Sequence, residues 1–231
     1  MEKIEVAVIL AAGFGKRLLP ITDKIPKPLV KIGSETILEK TIKLVKKLNI
    51  KKILINTHYK KDLLKKFLEE KKLDVNIEIF EEIPEILNTG GGIANMVMKN
   101  ENSYFLTFNP DTLWNESYID EILNMEKLFF ISNSKNILLV VHKDRSFDQN
   151  IMGDFNLEEN NLKKVKPLNF IFTGCQIFDK KIFQKYGNKS FPMSEVWNDL
   201  LTKNELKGFE SKTNFKHVTN FEIYNKLLKN N

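Results

Sequence analysis

Val6-Ala-Val-Ile-Leu10 runs directly into Ala11-Ala12-Gly13-Phe14-Gly15-Lys16-Arg17. A continuous apolar run with β-branched residues is the pattern of a strand buried on both faces. A small-residue turn at the carboxyl end of such a strand is where an open α/β sheet binds its ligands. Gly13 and Gly15 let backbone N–H groups approach anionic oxygens, and Lys16 and Arg17 add positive charge. Two well-known phosphate signatures do not fit. A P-loop needs Ser or Thr after Gly-Lys, where Arg17 stands, and the preceding glycine spacing is wrong. A dinucleotide turn needs a third glycine where Leu18 stands. It also needs an acidic residue after the second strand, which here ends in Asn56-Thr57-His58.

Outward from this turn, strands and helices alternate. Ser34 is placed to cap a helix whose apolar positions are Ile37, Leu38, Ile42, Val45 and Leu48. Lys52 to Asn56 reads as a second buried strand, and Leu63, Leu64, Phe67 and Leu68 mark another amphipathic helix. Val75 to Phe80 is a third strand, Gly90-Gly91-Gly92 opens a short helix, and Tyr104 to Phe108 is a fourth strand ending at Asn109-Pro110-Asp111. This spacing predicts βαβ units and a mostly parallel sheet. Further on, Ile137 to His142 and Ile171 to Phe178 read as strands flanking a polar stretch from Asp144 to Lys166. Ser194 is placed to cap a helix, Phe209 to Val218 reads as a strand, and Phe221, Tyr224, Leu227 and Leu228 mark a closing helix.

The chain has 231 residues, which predicts one large domain able to fold without a disulfide or metal staple. Cys175 is the single cysteine, so a disulfide framework and a multi-cysteine zinc site are excluded. Its place in an apolar strand predicts an inert buried thiol. The run from Val6 to Ala12 is too short to span a bilayer, and a cytoplasmic protein with no membrane partner is expected. The 36 Lys and Arg against 30 Asp and Glu leave a net charge of +6. The lysines are interleaved with Leu and Ile as the solvated faces of helices, and only Arg17 and Arg145 are arginines. A nucleic-acid reader would lean on arginine, so no nucleic-acid partner is expected.

The first motif continues through Leu18, Pro20-Ile-Thr22 and Pro26-Lys27-Pro28-Leu29, and as a whole resembles the signature of the sugar-1-phosphate nucleotidyltransferases. Leu87-Asn-Thr89-Gly-Gly-Gly92 resembles that family's base-binding loop, and Phe108-Asn109-Pro110-Asp111 the strand that ends in its metal-binding Asp. Gly153-Asp154-Phe155 and Phe172-Thr173-Gly174 resemble its sugar-side segments. Within the family, the short length, the Thr-Gly-Gly-Gly loop and the Gly-Asp-Phe segment look most like N-acetylmuramate-1-phosphate uridylyltransferases. Mannose-1-phosphate guanylyltransferase-like enzymes are the near neighbour.

The resemblance implies a Rossmann-like, GT-A-type three-layer α/β/α fold with a mostly parallel central sheet and a mixed sugar-binding portion. It implies a single domain over residues 1–231, with residues 1–115 taking the nucleotide and 116–231 the sugar phosphate, as a monomer or small homo-oligomer. The substrates implied are a nucleoside triphosphate, UTP first, and a sugar 1-phosphate, N-acetylmuramate 1-phosphate first. The catalytic group implied is Arg17, Lys27 and Asp111. Leu10, Ala11, Ala12, Gly13, Gly15, Lys16 and Arg17, with Asn88, Thr89 and Gly90, would bind the nucleotide. Asn109, Gly153, Asp154, Lys166 and Gly174 would bind the sugar phosphate. Asp111 would hold Mg²⁺. Pro110 stands where the family has Gly, and His217 where it usually offers a second Asp. Imidazole is a poorer Mg²⁺ ligand than carboxylate, which leaves Mn²⁺, a single carboxylate ligand or weak activity as alternatives. A non-catalytic nucleotide- or sugar-phosphate-binding module is the reading from another class.

Overall fold

A computed structural model describes residues 2–71, 73–187 and 189–230. The first strand is β1 (Val6–Leu10), and a two-stranded ribbon follows as β2 (Lys31–Ile32) and β3 (Glu35–Thr36). Then come α1 (Ile37–Lys47), β4 (Lys52–Thr57), α2 (Lys61–Glu70), β5 (Asn76–Glu81), α3 (Asn88–Val97) and β6 (Tyr104–Phe108). The second half holds α4 (Tyr118–Ile131), β7 (Asn136–His142), β8 (Asn156–Glu158), β9 (Asn161–Lys163), β10 (Phe170–Asp179), α5 (Met193–Thr202), β11 (Lys207–Ser211) and α6 (Phe221–Lys229).

Nine strands make one sheet in the order β5-β4-β1-β6-β10-β7-β11-β9-β8. From β5 to β6 the pairs are parallel, with Val8 opposite both Leu54 and Thr107. β10 then runs antiparallel to β6 and β7, so the sheet is mixed beyond that point. Helices cover both faces, as the alternation in β1 requires. Ala7 and Ile9 face α1, α2 and α4 through Leu38, Ile42, Leu64, Ile122 and Phe129. Val6 and Val8 face α3 and α5 through Ile93, Val97, Val196 and Leu200. A third cluster packs Ile223 and Leu227 of α6 against Leu18 and Ile32, which ties the segment after the first turn to the end of the chain.

Several expected details differ. Thr36, not Ser34, caps α1: its hydroxyl accepts from Glu39 N–H, and the Glu39 carboxylate accepts from Thr36 N–H. Ser34 is used up in the turn between β2 and β3, beside Gly33 at φ +71°. Ser194 lies inside α5, which starts at Met193, and the Met193 N–H is capped by the Thr89 hydroxyl at 2.8 Å. β11 stops at Ser211 rather than reaching Val218, because the Glu121 carboxylate takes the Ser211 hydroxyl and the N–H groups of Lys212 and Thr213. These bonds draw the backbone off the sheet ladder, and the chain returns to it only at isolated bridges, including Thr112 with His217. The polar stretch from Asp144 to Lys166 holds the edge hairpin of β8 and β9.

Candidate active site

Because β4 lies on one side of β1 and β6 on the other, the chain reverses direction across the sheet at β1. A crevice opens at such a switch point, beyond the carboxyl ends of the strands. Here it is a cleft of about 430 Å³. The turn after β1 lines it through Leu10, Ala11, Ala12, Gly13, Gly15, Lys16 and Arg17; Asn88 and Thr89 at the start of α3, Asn109 and Asp111 after β6, and Lys27 complete the wall.

The turn is built to present N–H groups. Gly15 sits at φ +66°, and a Cβ there would meet the Thr22 side chain at 2.8 Å and that of Lys27 at 3.1 Å, so only glycine lets the turn close over Lys27. The Gly15 carbonyl is held by the Thr22 hydroxyl at 3.0 Å and by Leu18 N–H at 2.8 Å. The N–H groups of residues 12–15 donate to no protein acceptor among the described residues. A run of unpaired, convergent N–H groups is an anion cradle. Arg17 is exposed on the same wall and makes no ion pair among the described residues. The other arginine, Arg145, donates instead to the Lys212 carbonyl at 2.7 Å.

Opposite the cradle, Lys27 Nζ lies 2.6 Å from Asp111 Oδ2, and His217 Nε2 lies 3.0 Å from that same oxygen. Backbone bonds hold Asp111 and His217 together: Val218 N–H donates to the Asp111 carbonyl and Leu113 N–H to the Lys216 carbonyl, each at 2.8 Å. His217 also stacks on Phe215, and its Nδ1 meets the Thr219 hydroxyl at 3.1 Å. Burial by itself would push the Asp111 carboxyl up, but Lys27 and His217 outweigh it and hold that group well below the ordinary carboxylate value. Asp111 Oδ1 is buried and has no hydrogen-bond partner among the described residues. An ionised carboxylate with one orphaned oxygen, beside an anion cradle, fits a hard divalent ion that shares substrate phosphates. No group of three or more His, Cys, Asp or Glu residues able to hold a metal occurs among the described residues.

The remaining candidates fall into two groups. Gly90 does not line the cleft: its N–H donates to the Phe191 carbonyl at 2.9 Å, and its bare Cα packs against the Phe191 ring. Gly153, Asp154, Lys166 and Gly174 lie outside the cleft wall. Gly174 receives Asn109 N–H on its carbonyl at 2.8 Å, which seats Asn109. Asp154 is seated by Phe172 N–H at 2.9 Å. Desolvation pushes the Asp154 carboxyl up, against the opposing pull of the Phe172 N–H and of the Lys164 and His217 charges. Lys166 is exposed. Cys175 is fully buried, and burial alone pushes its thiol up, consistent with an unreactive group.

Two residues escaped the sequence reading. Asn56 lies next to last in β4 on the cleft wall, and its Oδ1 accepts from Ala11 N–H at 2.7 Å. Glu82 lies beneath it, with Oε1 accepting from Asn56 Nδ2 at 2.6 Å. The one available signal was Asn56, a polar residue that follows the apolar run Ile53-Leu-Ile55 of β4; Glu82, just past the polar-rich β5, offered none.

The nucleotidyl transferase family matches residues 6–149. Among individual proteins, the chain is 31% identical over 188 residues to the D-glycero-alpha-D-manno-heptose 1-phosphate guanylyltransferase of Campylobacter jejuni, covering 78% of each chain. It is 24% identical over 222 residues to the N-acetylmuramate alpha-1-phosphate uridylyltransferase of Caulobacter vibrioides, covering 93% of this chain and 91% of the relative. It also matches the bifunctional protein GlmU of Methanococcus aeolicus, of whose length it spans about half, 49%. Among solved structures, HddC from Yersinia pseudotuberculosis complexed with GMP-PN superposes with a TM-score of 0.78 at 25% identity, covering 98% and 99% of the two chains.

Proposed function

The chain belongs to the nucleotidyl transferase family, and on that premise we propose that it joins UTP to N-acetylmuramate 1-phosphate, releasing pyrophosphate. One observation carries the reaction class: the unpaired N–H cradle of residues 12–15 faces the same cleft as Asp111, whose Oδ1 is unused. In the reaction a phosphate oxygen of the sugar phosphate bonds to the α-phosphorus of the nucleotide while the bond to the β-phosphate oxygen breaks. The pair of electrons leaves with pyrophosphate, so no protein nucleophile is needed. The barrier lies in bringing two anions together, which positioning and charge neutralisation lower.

In this reading residues 1–115 take the nucleotide and 116–231 the sugar phosphate. The N–H groups of residues 12–15 and the Arg17 guanidinium hold the β- and γ-phosphates. Lys27 neutralises charge at the α-phosphate as its ammonium moves from Asp111 to the substrate. Asn88 and Thr89 face the base, while Asn109 and Asp154 orient the sugar. Asp111 Oδ1, with His217 Nε2 alongside, would hold the divalent ion, Mg²⁺ or Mn²⁺. When bound, that ion supplies Lewis-acid polarisation of the phosphoryl oxygens.

UTP and the muramate sugar are supported by the Asn88-Thr89-Gly90 loop, the Gly153-Asp154-Phe155 segment and the likeness to the Caulobacter enzyme. A guanylyl reading is favoured by the higher identity to the Campylobacter heptose enzyme and by the likeness to HddC. A panel of four nucleoside triphosphates against several sugar 1-phosphates, followed by pyrophosphate release, decides between them. Release with no pair at all would leave only a binding module.

A further inference from the structure

Glu82 is a carboxylate 1% exposed that pairs with no cation among the described residues. A buried charge of this kind is costly unless hydrogen bonds satisfy it. Both of its oxygens are used. Oε1 accepts from Asn56 Nδ2 at 2.6 Å, and Oε2 accepts from the Leu87 N–H at 2.7 Å. A carboxylate only accepts, so Asn56 must turn its NH₂ toward Glu82, which points Oδ1 at the Ala11 N–H, 2.7 Å away. One carboxylate therefore fastens two segments that are distant in the chain. The first is the peptide between Leu10 and Ala11, where the phosphate turn begins. The second is Leu87, immediately before the Asn88-Thr89 rim.

Gly92 leaves space for this chain of bonds. A Cβ at Gly92 would lie 2.5 Å from Glu82 Oε1 and 2.8 Å from Asn56 Nδ2. His58 Nδ1 adds a further contact, 2.7 Å from the Glu82 carbonyl. The Ala11 N–H is consumed by Asn56, so that peptide group is a spacer in the cleft wall and not a donor to the ligand.

We propose that Glu82 is a positioning residue for nucleotide binding: through Asn56 and Leu87 it holds the β1 turn and the Asn88-Thr89 rim at one spacing, and that spacing selects the size of the base. This rests on the nucleotide-binding reading of the cleft. Glu82 touches no substrate in this role. Its loss acts on the nucleotide KM and on base preference, and leaves the sugar-phosphate KM alone.

The test is steady-state kinetics on Glu82→Gln, with UTP and GTP each varied at saturating sugar 1-phosphate. Glutamine keeps the volume and can still accept from Asn56, but its NH₂ cannot accept from Leu87 N–H. The nucleotide KM should rise by about tenfold or more, the scale of one lost charge-assisted hydrogen bond, and the UTP-to-GTP ratio of kcat/KM should move toward one. Gly92→Ala, which pushes a methyl into the same contact, should give the same signature and decides the matter if Glu82→Gln does not fold. Val97→Ala, buried on α3 away from the cleft, should lower the melting temperature and leave the nucleotide KM unchanged. A nucleotide KM and base ratio that stay put in Glu82→Gln, or that shift equally in Val97→Ala, overturn the proposal. Calorimetry of the parent with UTP and GTP separates the two levels: a parent that binds neither overturns the nucleotide reading together with this one, whereas a binding parent with unmoved variants overturns this one alone.

Discussion

Lys27 and Asp111, 84 residues apart in the chain, meet at 2.6 Å between Nζ and Oδ2, and the second Asp111 oxygen is left without a partner. Its Oδ1 is buried and unpartnered among the described residues, unlike the solvent-facing second oxygen of a surface pair. The pair keeps the cation in place while leaving one lone-pair face of the carboxylate open.

Asp111→Asn should therefore abolish turnover and still fold. It should also lower stability at neutral pH by about 1.5–3 kcal/mol, because Lys27 and His217 lose a charged acceptor. The pH dependence fixes the sign. The folded-state carboxyl titrates well below the ordinary value of 3.8, so the unfolded chain binds more protons in between. The stabilisation is complete above the unfolded value and is lost as pH falls through the folded one. Urea midpoints of parent and variant should differ at neutral pH, and the gap should start to close only below about pH 3.9. A gap that widens in acid would contradict this.

Arg17→Lys keeps the charge and loses the planar fork. Turnover should fall by at least about tenfold, on the scale of a charge-assisted contact. Arg17 is exposed and makes no ion pair among the described residues, so stability should stay within about 0.5 kcal/mol of the parent. Unchanged kinetics would remove Arg17 from triphosphate binding.

His217→Asp places a second carboxylate beside Asp111. Without metal the two repel, so the melting temperature should drop. Adding Mg²⁺ with UTP should recover more than it does in the parent, and Mg²⁺-supported turnover should rise. In the parent, Mn²⁺ should match or exceed Mg²⁺, since it tolerates a nitrogen ligand better. Identical rates and metal preference in parent and variant would put His217 out of reach of the ion.

Two glycines should respond oppositely to the same added methyl. At Gly90 a Cβ would sit 2.4 Å from the ring of Phe191, which is 2% exposed and cannot yield. Gly90→Ala should cost about 1–3 kcal/mol by overpacking, even though alanine suits a helix better. At Gly13 nothing lies within 4 Å, so Gly13→Ala should be nearly neutral in denaturant titration while raising the nucleotide KM. Equal midpoints for both variants would contradict the packing argument.

The turn after β1 was legible because cradle, Lys16 and Arg17 are contiguous in sequence and follow a strand buried on both faces. Tyr104–Phe108 was legible for the same reason, with Asp111 three residues on. His217 was placed by resemblance alone, and its contact with Asp111 depends on a bridge to Thr112 that no periodicity reveals. α4 went unread because its exposed polar stripe of Asp120, Asn124 and Lys127 is narrow: Ile119, Leu123, Leu128 and Phe130 pack against the core beside the buried Ile122, Met125 and Phe129. Asn56 and Glu82 were missed because their role exists only as side-chain bonds between neighbouring strands. The cap of α5 was misread because its hydroxyl comes from Thr89, 104 residues earlier.

The bonds from Leu113 to Lys216 and from Val218 to Asp111 also set an order of assembly. During synthesis the cradle, Arg17, Lys27 and Asp111 all leave the ribosome long before residues 215–218. Until those residues arrive, the backbone of Asp111 lacks the partner that seats it and its carboxylate lacks the imidazole. A nascent or truncated chain can thus hold the cradle, Arg17 and Lys27 and still lack the bonds that seat Asp111.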